Sequence, residues 1–364
     1  MSNTLKPYLV IILDKADQSV EERVITKALS SLSIPVEVKA LNLTSREEAM
    51  NHPLIPIADS IMVWHTIIID EPLFQRMKNT RNLVRVGVGY DNVHLESAAK
   101  YGIPVCNIPN YGTEEVADHA MSLILAMFRR TTWVYELANR GIEARGSDGV
   151  ANLAKGTRRI RNQTLGILGF GRIGMATAIR AKAFGFHIIF YDPYIPAGID
   201  KALGVQRVST PLELAKLSDI VSCHCDLNTT SKHIINLEFL QTMKPHSFVV
   251  NTARGGVIDE VALRQCLDNG HIMGAGIDVH EIEPFMGTDK SQPLAQAPNC
   301  INTPHTAFYS DQSFEEMRTL AADSSVAALT NTPLVNVVNY AHLLANKGKE
   351  GEAKLRAPIV TRDW

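Results

Sequence analysis

The chain has 364 residues, with 36 Lys and Arg against 38 Asp and Glu, a formal net charge of −2, and 45% hydrophobic residues. That length favours two or three domains over one small core. The near-zero charge leaves no overall field to attract nucleic acid or an anionic membrane surface. Apolar runs such as residues 8–13 fall far short of the roughly 20 residues a spanning helix needs. The expected partner is therefore a small molecule, with no nucleic acid and no membrane. Five scattered cysteines without a signal-peptide pattern point to a reducing, cytoplasmic home. Cys223 and Cys225 flank His224, but strand alternation turns His224 to the opposite face and further ligands at usual spacing are missing, so no metal is expected.

In chain order, residues 8–13 form an apolar, β-rich run. Val20, Val24, Ala28 and Leu32 then recur at helical spacing, and residues 36–41 return to strand. Further strands are expected at 60–64 and 83–88, the latter running into the glycine-rich turn Gly87-Val88-Gly89-Tyr90. From Thr113 to about Arg140 an apolar stripe through Val116, Ala120, Leu123, Ile124, Met127 and Phe128 predicts one long helix. A loop over 141–163 follows. A second series then alternates strands (164–168, 187–191, 220–223, 247–250, 275–278) with helices, starting with 172–184. Such alternation implies a parallel sheet covered on both faces, the doubly wound arrangement. After 299–303 the segment 310–329 is helical and is expected to cross back and complete the first domain. Residues 346–354 are polar and charged with two glycines, so 346–364 read as a loose tail.

The hexapeptide Gly169-Phe170-Gly171-Arg172-Ile173-Gly174 follows an apolar strand and opens a helix, which is where this pattern carries meaning. The first glycine permits a tight turn, the second lets the backbone approach a pyrophosphate, and the third lets the helix pack on the strand. Asp192 ends the next strand, 18 residues beyond Gly174. Its carboxylate suits the ribose hydroxyls and repels a 2′-phosphate, so the expected cofactor is NAD rather than NADP. Three further loops after predicted strands carry Arg254, Glu283 and His305. Arg254 can grip a carboxylate with two parallel hydrogen bonds, a histidine can exchange a proton near neutral pH, and a glutamate beside it favours the imidazolium. Taken singly, each also has an ordinary reading as a surface ion pair, a surface acid or a capping histidine.

From about residue 84 to 342 the chain resembles the D-isomer-specific 2-hydroxyacid dehydrogenases, most closely their C-terminal binding protein branch. The resemblance is carried by Val-Arg-Val-Gly-Val-Gly-Tyr-Asp-Asn (84–92), Tyr-Asp-Pro-Tyr (191–194), Asn-Thr-Ala-Arg-Gly-Gly (251–256), Asp-Val-His-Glu-Ile-Glu-Pro (278–284) and Thr-Pro-His-Thr-Ala-Phe-Tyr-Ser (303–310). It implies two Rossmann-like doubly wound α/β domains, with an NAD-binding domain (113–308) inserted into a discontinuous, flavodoxin-like substrate domain (1–112 and 309–345). It implies Arg254 as the group that binds substrate carboxylate and carbonyl, His305 as acid/base and Glu283 as its partner. Gly169, Gly171, Arg172, Ile173, Gly174, Asp192, Thr252, Ala253 and Asp278 are implied for the cofactor. Val88, Gly89, Tyr90, His65 and Phe308 are implied for the substrate, Phe308 standing where animal members of that branch have tryptophan. The implied activity is NADH-dependent reduction of a 2-oxo acid to the D-2-hydroxy acid by a homodimer, and the alternative is an NAD(H)-sensing corepressor or scaffold. Trp64, Tyr111, Met286, Phe308 and Tyr309 are candidates to line a pocket for a bulky apolar side chain, with core or rim packing as the alternative.

Overall fold

The computed structural model describes residues 6–142, 145–346 and 353–360. It divides into two compact units, one built from Met1–Tyr111 with Ser310–Trp364, the other from Gly112–Tyr309.

The first unit contains β1 (Tyr8–Ile12), β2 (Val36–Ala40), β3 (Ser60–Val63), β4 (Asn82–Arg85) and β5 (Val105–Cys106) in one sheet of order β2-β1-β3-β4-β5. Every pairing is parallel. This is the flavodoxin-like doubly wound order, whose direction of winding reverses between β1 and β3. Buried Ile11, Leu13, Ile61, Val63, Leu83 and Phe74 fill its core. The helix Asp311–Leu329 closes this sheet. Ser325 Oγ lies 2.8 Å from Ser60 Oγ, which donates to Asn82 Oδ1 at 2.7 Å. Buried Arg318 donates to Glu21 Oε1 and to Asp17 Oδ2, both at 2.8 Å, and so joins this helix to Ser19–Ser30. Hydrogen bonds from the Ser19 amide and hydroxyl, with Arg318 alongside, hold the Asp17 carboxyl down at about 2.

The second unit contains β6 (Thr164–Leu168), β7 (His187–Tyr191), β8 (Gln206–Arg207), β9 (Ile220–Cys223), β10 (Ser247–Asn251), β11 (Ile272–Ile277) and β12 (Cys300–Asn302). Their order is β12-β11-β10-β9-β6-β7-β8, again all parallel. That is the dinucleotide-binding order, and its reversal lies between β6 and β9.

Four details differ from expectation. The strand expected over 83–88 ends at Arg85, because Gly87 takes φ +137 and turns the chain where a Cβ would meet Arg85 Nη1. The single helix expected from Thr113 to Arg140 is two, Thr113–Arg129 and Thr131–Asn139, split by Arg130 at φ +51. There the Phe128 carbonyl accepts from the Arg158 amide, and the Arg130 guanidinium lies 4.8 Å from the Trp133 ring centroid. The loop expected over 141–163 contains the helix Gly146–Leu153. Finally, residues 353–360 of the expected loose tail are packed. Leu334 and Ile359 form a parallel bridge, Ala357 is buried, and Arg356 Nη1 donates to the carbonyls of Met77, Lys78 and Thr80. The expectation extended the polar, glycine-containing character of 346–354 over a segment that is mostly apolar, and whose Ala357 and Ile359 pack with Cys106 and Leu334.

Candidate active site

In the second unit the site begins at the turn between β6 and the helix Arg172–Ala183. Gly169 adopts φ +88, and a Cβ there would come within 2.6 Å of the Cys225 amide nitrogen. At Gly174 it would meet the Gly169 carbonyl oxygen at 2.3 Å. Both glycines are therefore required by close backbone approach. A Cβ on Gly171, by contrast, meets nothing within 4 Å. No side chain caps this helix and no acidic residue lies in its first turn, so its N-terminal partial positive charge faces that open side. Asp192, at the end of β7, accepts from the amides of Phe170 (2.7 Å), Tyr194 (2.8 Å) and Ile195 (3.3 Å). These bonds lock the glycine turn to the neighbouring strand and leave room at the carboxylate for about one further hydrogen bond.

Beyond β10, Asn251 accepts from the Ala253 amide at 3.0 Å and donates to the Arg254 carbonyl at 2.8 Å, shaping the loop that presents Thr252 and Arg254. The Thr252 hydroxyl is buried without a hydrogen-bond partner. An orphaned hydroxyl of this kind, in the same unit as an uncapped helix and an open glycine, fits a polar cofactor. Arg254 Nη1 donates to the Ala253 carbonyl at 2.7 Å. A Cβ on Gly255 would fall 2.0 Å from the His280 carbonyl carbon, so the Arg254 loop is pressed against the loop that bears Glu283.

Beyond β11, buried Asp278 organises the histidine loop. Its Oδ1 accepts from Thr303 Oγ1 (2.6 Å) and the Thr306 amide (2.9 Å), its Oδ2 from the Ala307 amide (2.9 Å), and its carbonyl from the His305 amide (2.7 Å). His119 Nε2 reaches Thr303 Oγ1 at 3.2 Å. His305, held at φ +55, places Nδ1 2.9 Å from Glu283 Oε2, while Glu283 Oε1 accepts from the His280 amide at 3.2 Å. Glu260, buried, accepts from the Glu281 amide at 3.0 Å, and the His280 ring stacks on Phe285 with centroids 3.9 Å apart. His280 Nδ1 lies 3.3 Å from Glu260 Oε1 without hydrogen-bond alignment. The Phe308 ring meets His305 edge-on at 6.0 Å.

Val88, Gly89, Tyr90 and His65 belong to the first unit. The Val88 carbonyl accepts from Asn107 Nδ2 at 2.7 Å. Asn92 donates to the carbonyls of Trp64 and Ile67, and Asp14 accepts from the amides of Trp64 and Thr66. These bonds tie the segment bearing His65 to the 87–92 turn. Trp64 and Tyr111 of the expected apolar lining are buried, whereas Met286 and Tyr309 are exposed. Sequence reasoning missed Asp14, Arg85, Asn92 and Glu260 as anchors, and the Cys225 loop as the wall behind Gly169. Asp14, Arg85 and Asn92 are polar residues at strand ends or in a turn and Glu260 opens a helix, signals that were present but carried no partner.

Two parallel doubly wound units, one containing both an open dinucleotide turn and a histidine–carboxylate couple, define a class of nicotinamide-dinucleotide proteins. The family model of the D-isomer specific 2-hydroxyacid dehydrogenase, NAD binding domain, matches residues 121–307, half of the chain. The protein belongs to that family, and its second unit is an NAD-binding domain. It is 38% identical over 314 residues to C-terminal-binding protein 1 of Caenorhabditis elegans, covering 86% of this chain and 42% of that one. It is 34% identical over 311 residues to D-3-phosphoglycerate dehydrogenase of Methanocaldococcus jannaschii, covering 85% and 57%. The chain thus spans about half the length of the curated relatives it matches. Among solved structures it is similar to D-lactate dehydrogenase from Aquifex aeolicus in complex with NAD and lactic acid (TM-score 0.76, 29% identity, 89% of this chain and 96% of that one). A glyoxylate reductase from Paecilomyes thermophila is similar too (TM-score 0.78, 28% identity, 92% and 99%).

Proposed function

We propose that the protein is an NAD-dependent D-2-hydroxyacid dehydrogenase that reduces a 2-oxo acid to the D-2-hydroxy acid. The observation that carries this reading is the 2.9 Å contact of His305 with Glu283 in the same unit as the glycine turn. The amides at Gly169, Gly171, Arg172, Ile173 and Gly174 hold the pyrophosphate, Asp192 takes a ribose hydroxyl, and Thr252, Ala253 and Asp278 meet the nicotinamide end. When bound, NADH supplies the hydride. Arg254 binds the substrate carboxylate and polarises the adjoining carbonyl. His305 gives the proton to the developing alkoxide, and Glu283 fixes the orientation of the ring through Nδ1. The 87–90 turn of the first unit, with Val88, Gly89 and Tyr90, receives the same substrate carboxylate, and His65 of the first unit and Phe308 of the second are assigned to the rest of the substrate.

The test is a panel of 2-oxo acids with NADH and NADPH, run beside His305→Gln. Turnover should fall by about a thousandfold in the variant, in the range for loss of a general acid, while nucleotide affinity is retained. Flat NADH absorbance across the panel would defeat the reading.

A second reading, an NAD(H)-sensing corepressor scaffold, is favoured by the 38% identity to C-terminal-binding protein 1. Failure to bind a Pro-x-Asp-Leu-Ser peptide counts against it. A homodimer is supported by the helices Thr131–Asn139 and Gly146–Leu153, neither of which has a buried residue within this chain. A reducing, cytoplasmic compartment agrees with the free cysteines, whose burial pushes the thiols of Cys106, Cys225 and Cys300 up to about 12. No helix among the described residues is long and apolar enough to cross a membrane.

A further inference from the structure

At the carboxyl ends of β1 and β3, where the winding of the first sheet reverses, Lys15 lies against two aromatic rings. Its ammonium is 4.9 Å from the Trp64 ring centroid and 4.6 Å from that of Phe314, and the two rings are 5.3 Å apart. Doubly wound sheets bind ligands at this kind of reversal. The ammonium has no hydrogen bond or ion pair among the described residues, although three carboxylates stand near it. Asp14 is engaged by the amides of Trp64 and Thr66, Asp17 by Ser19 and Arg318, and Glu21 by Arg318. Burial, and then the charge of Arg318, hold the Lys15 pKa below its ordinary value.

A second donor sits in the same place. Trp64 is only 9% exposed, and its indole N–H is buried with no acceptor. Buried donors are almost always paired, so an orphaned indole N–H beneath an unpaired ammonium marks a place that lacks an anion. One carboxylate oxygen at the indole edge can accept from Nε1 and lie against Nζ. The unbranched lysine chain can lift with it and uncover the ring.

We propose that Lys15 and Trp64 receive a second anionic group on the substrate, making the protein selective for 2-oxo diacids over 2-oxo monoacids of equal chain length. This rests on the reading that the 87–90 turn takes the 2-oxo acid's own carboxylate. That turn follows β4, which pairs with β3 in register from Ser60 with Asn82 to Val63 with Arg85. Paired strands lie about 4.8 Å apart, so a substrate anchored at the turn reaches Trp64 with a chain of a few carbons. The assignment also explains why Trp64 offers no bare apolar wall: a cation covers its face.

The experiment compares kcat/KM for 2-oxoglutarate and 2-oxopentanoate in the full chain and in Lys15→Met, with Lys15→Arg as the charge-preserving control. The wild type should favour the diacid by about tenfold or more, as one charge-assisted bond provides. Lys15→Met should lose that preference while 2-oxopentanoate stays within about twofold, and Lys15→Arg should restore most of it. Equal losses on both substrates, which a merely structural lysine would give, or a wild type that prefers the monoacid, would overturn the proposal. If neither acid is reduced, the dehydrogenase reading fails separately. Calorimetric titration of 2-oxoglutarate into the NAD-saturated chain then decides. Binding lost in Lys15→Met upholds the site, and no binding to the wild type removes it.

Discussion

The two units use one device at their strand ends for different chemical purposes. In the second unit, Asp192, Asn251 and Asp278 follow or end β7, β10 and β11 and spend their oxygens on neighbouring backbone amides. In the first, Asp14 does so after β1. The difference lies in what the anchored loops then carry. The second unit presents an imidazole–carboxylate couple, His305 with Glu283, alongside the cation Arg254, whereas the first presents cations, Arg85 under the Gly87 turn and Lys15 on Trp64. A doubly wound sheet thus supplies rigid positions, and the side chain placed on the loop decides the chemistry.

The comparison can be broken most severely at Arg318. Replacing it with Met leaves the fully buried Glu21 without its partner, for an expected cost of about 3–5 kcal/mol, read as a lower urea midpoint for the first unit. The double variant Glu21→Leu with Arg318→Met should recover part of the loss, and a midpoint unchanged in the single variant would contradict the buried pair. A smaller effect is expected at His224 in the second unit, where burial lowers the imidazole pKa to about 3 from 6.5. Because the folded value is depressed, the unfolded chain takes up a proton below pH 6.5 that the folded chain refuses until about pH 3. Stability therefore falls as pH drops through that window, by about 2 kcal/mol at pH 5. His224→Gln should flatten this slope, and the same slope in both proteins would refute its origin. Smallest is Asp192→Asn, which should weaken NAD by about tenfold and narrow its lead over NADP, checked by fluorescence titration with both nucleotides.

Motifs with short-range logic were legible in the chain itself. The 169–174 turn and Asp192 could be read because strand, turn, helix and next strand are consecutive, and the structure adds only that Asp192 is nearly saturated by its own backbone. Arg254, Glu283 and His305 could be named from their strings, but the approach of the Arg254 loop to the Glu283 loop depends on Gly255 touching the His280 carbonyl, and the His305–Glu283 contact depends on Asp278 gathering 303–307. The break at Arg130 was invisible because no glycine or proline marks it, while the bond that ends the helix comes from Arg158. The Lys15 site was hidden for the same reason: Lys15, Trp64 and Phe314 come from three distant segments that only the sheet order brings together. Two-residue strands such as β5 and β8 carry too little pattern to be seen at all.

The central claim is that the second unit delivers hydride and proton to a 2-oxo acid through NADH and His305. Its most direct test is chiral analysis of the product formed from NADH and a reactive 2-oxo acid by the wild type and by His305→Gln at equal nucleotide saturation. The account predicts the D-2-hydroxy acid alone, formed about a thousandfold more slowly by the variant. An L product, or equal rates in the two proteins, would contradict it.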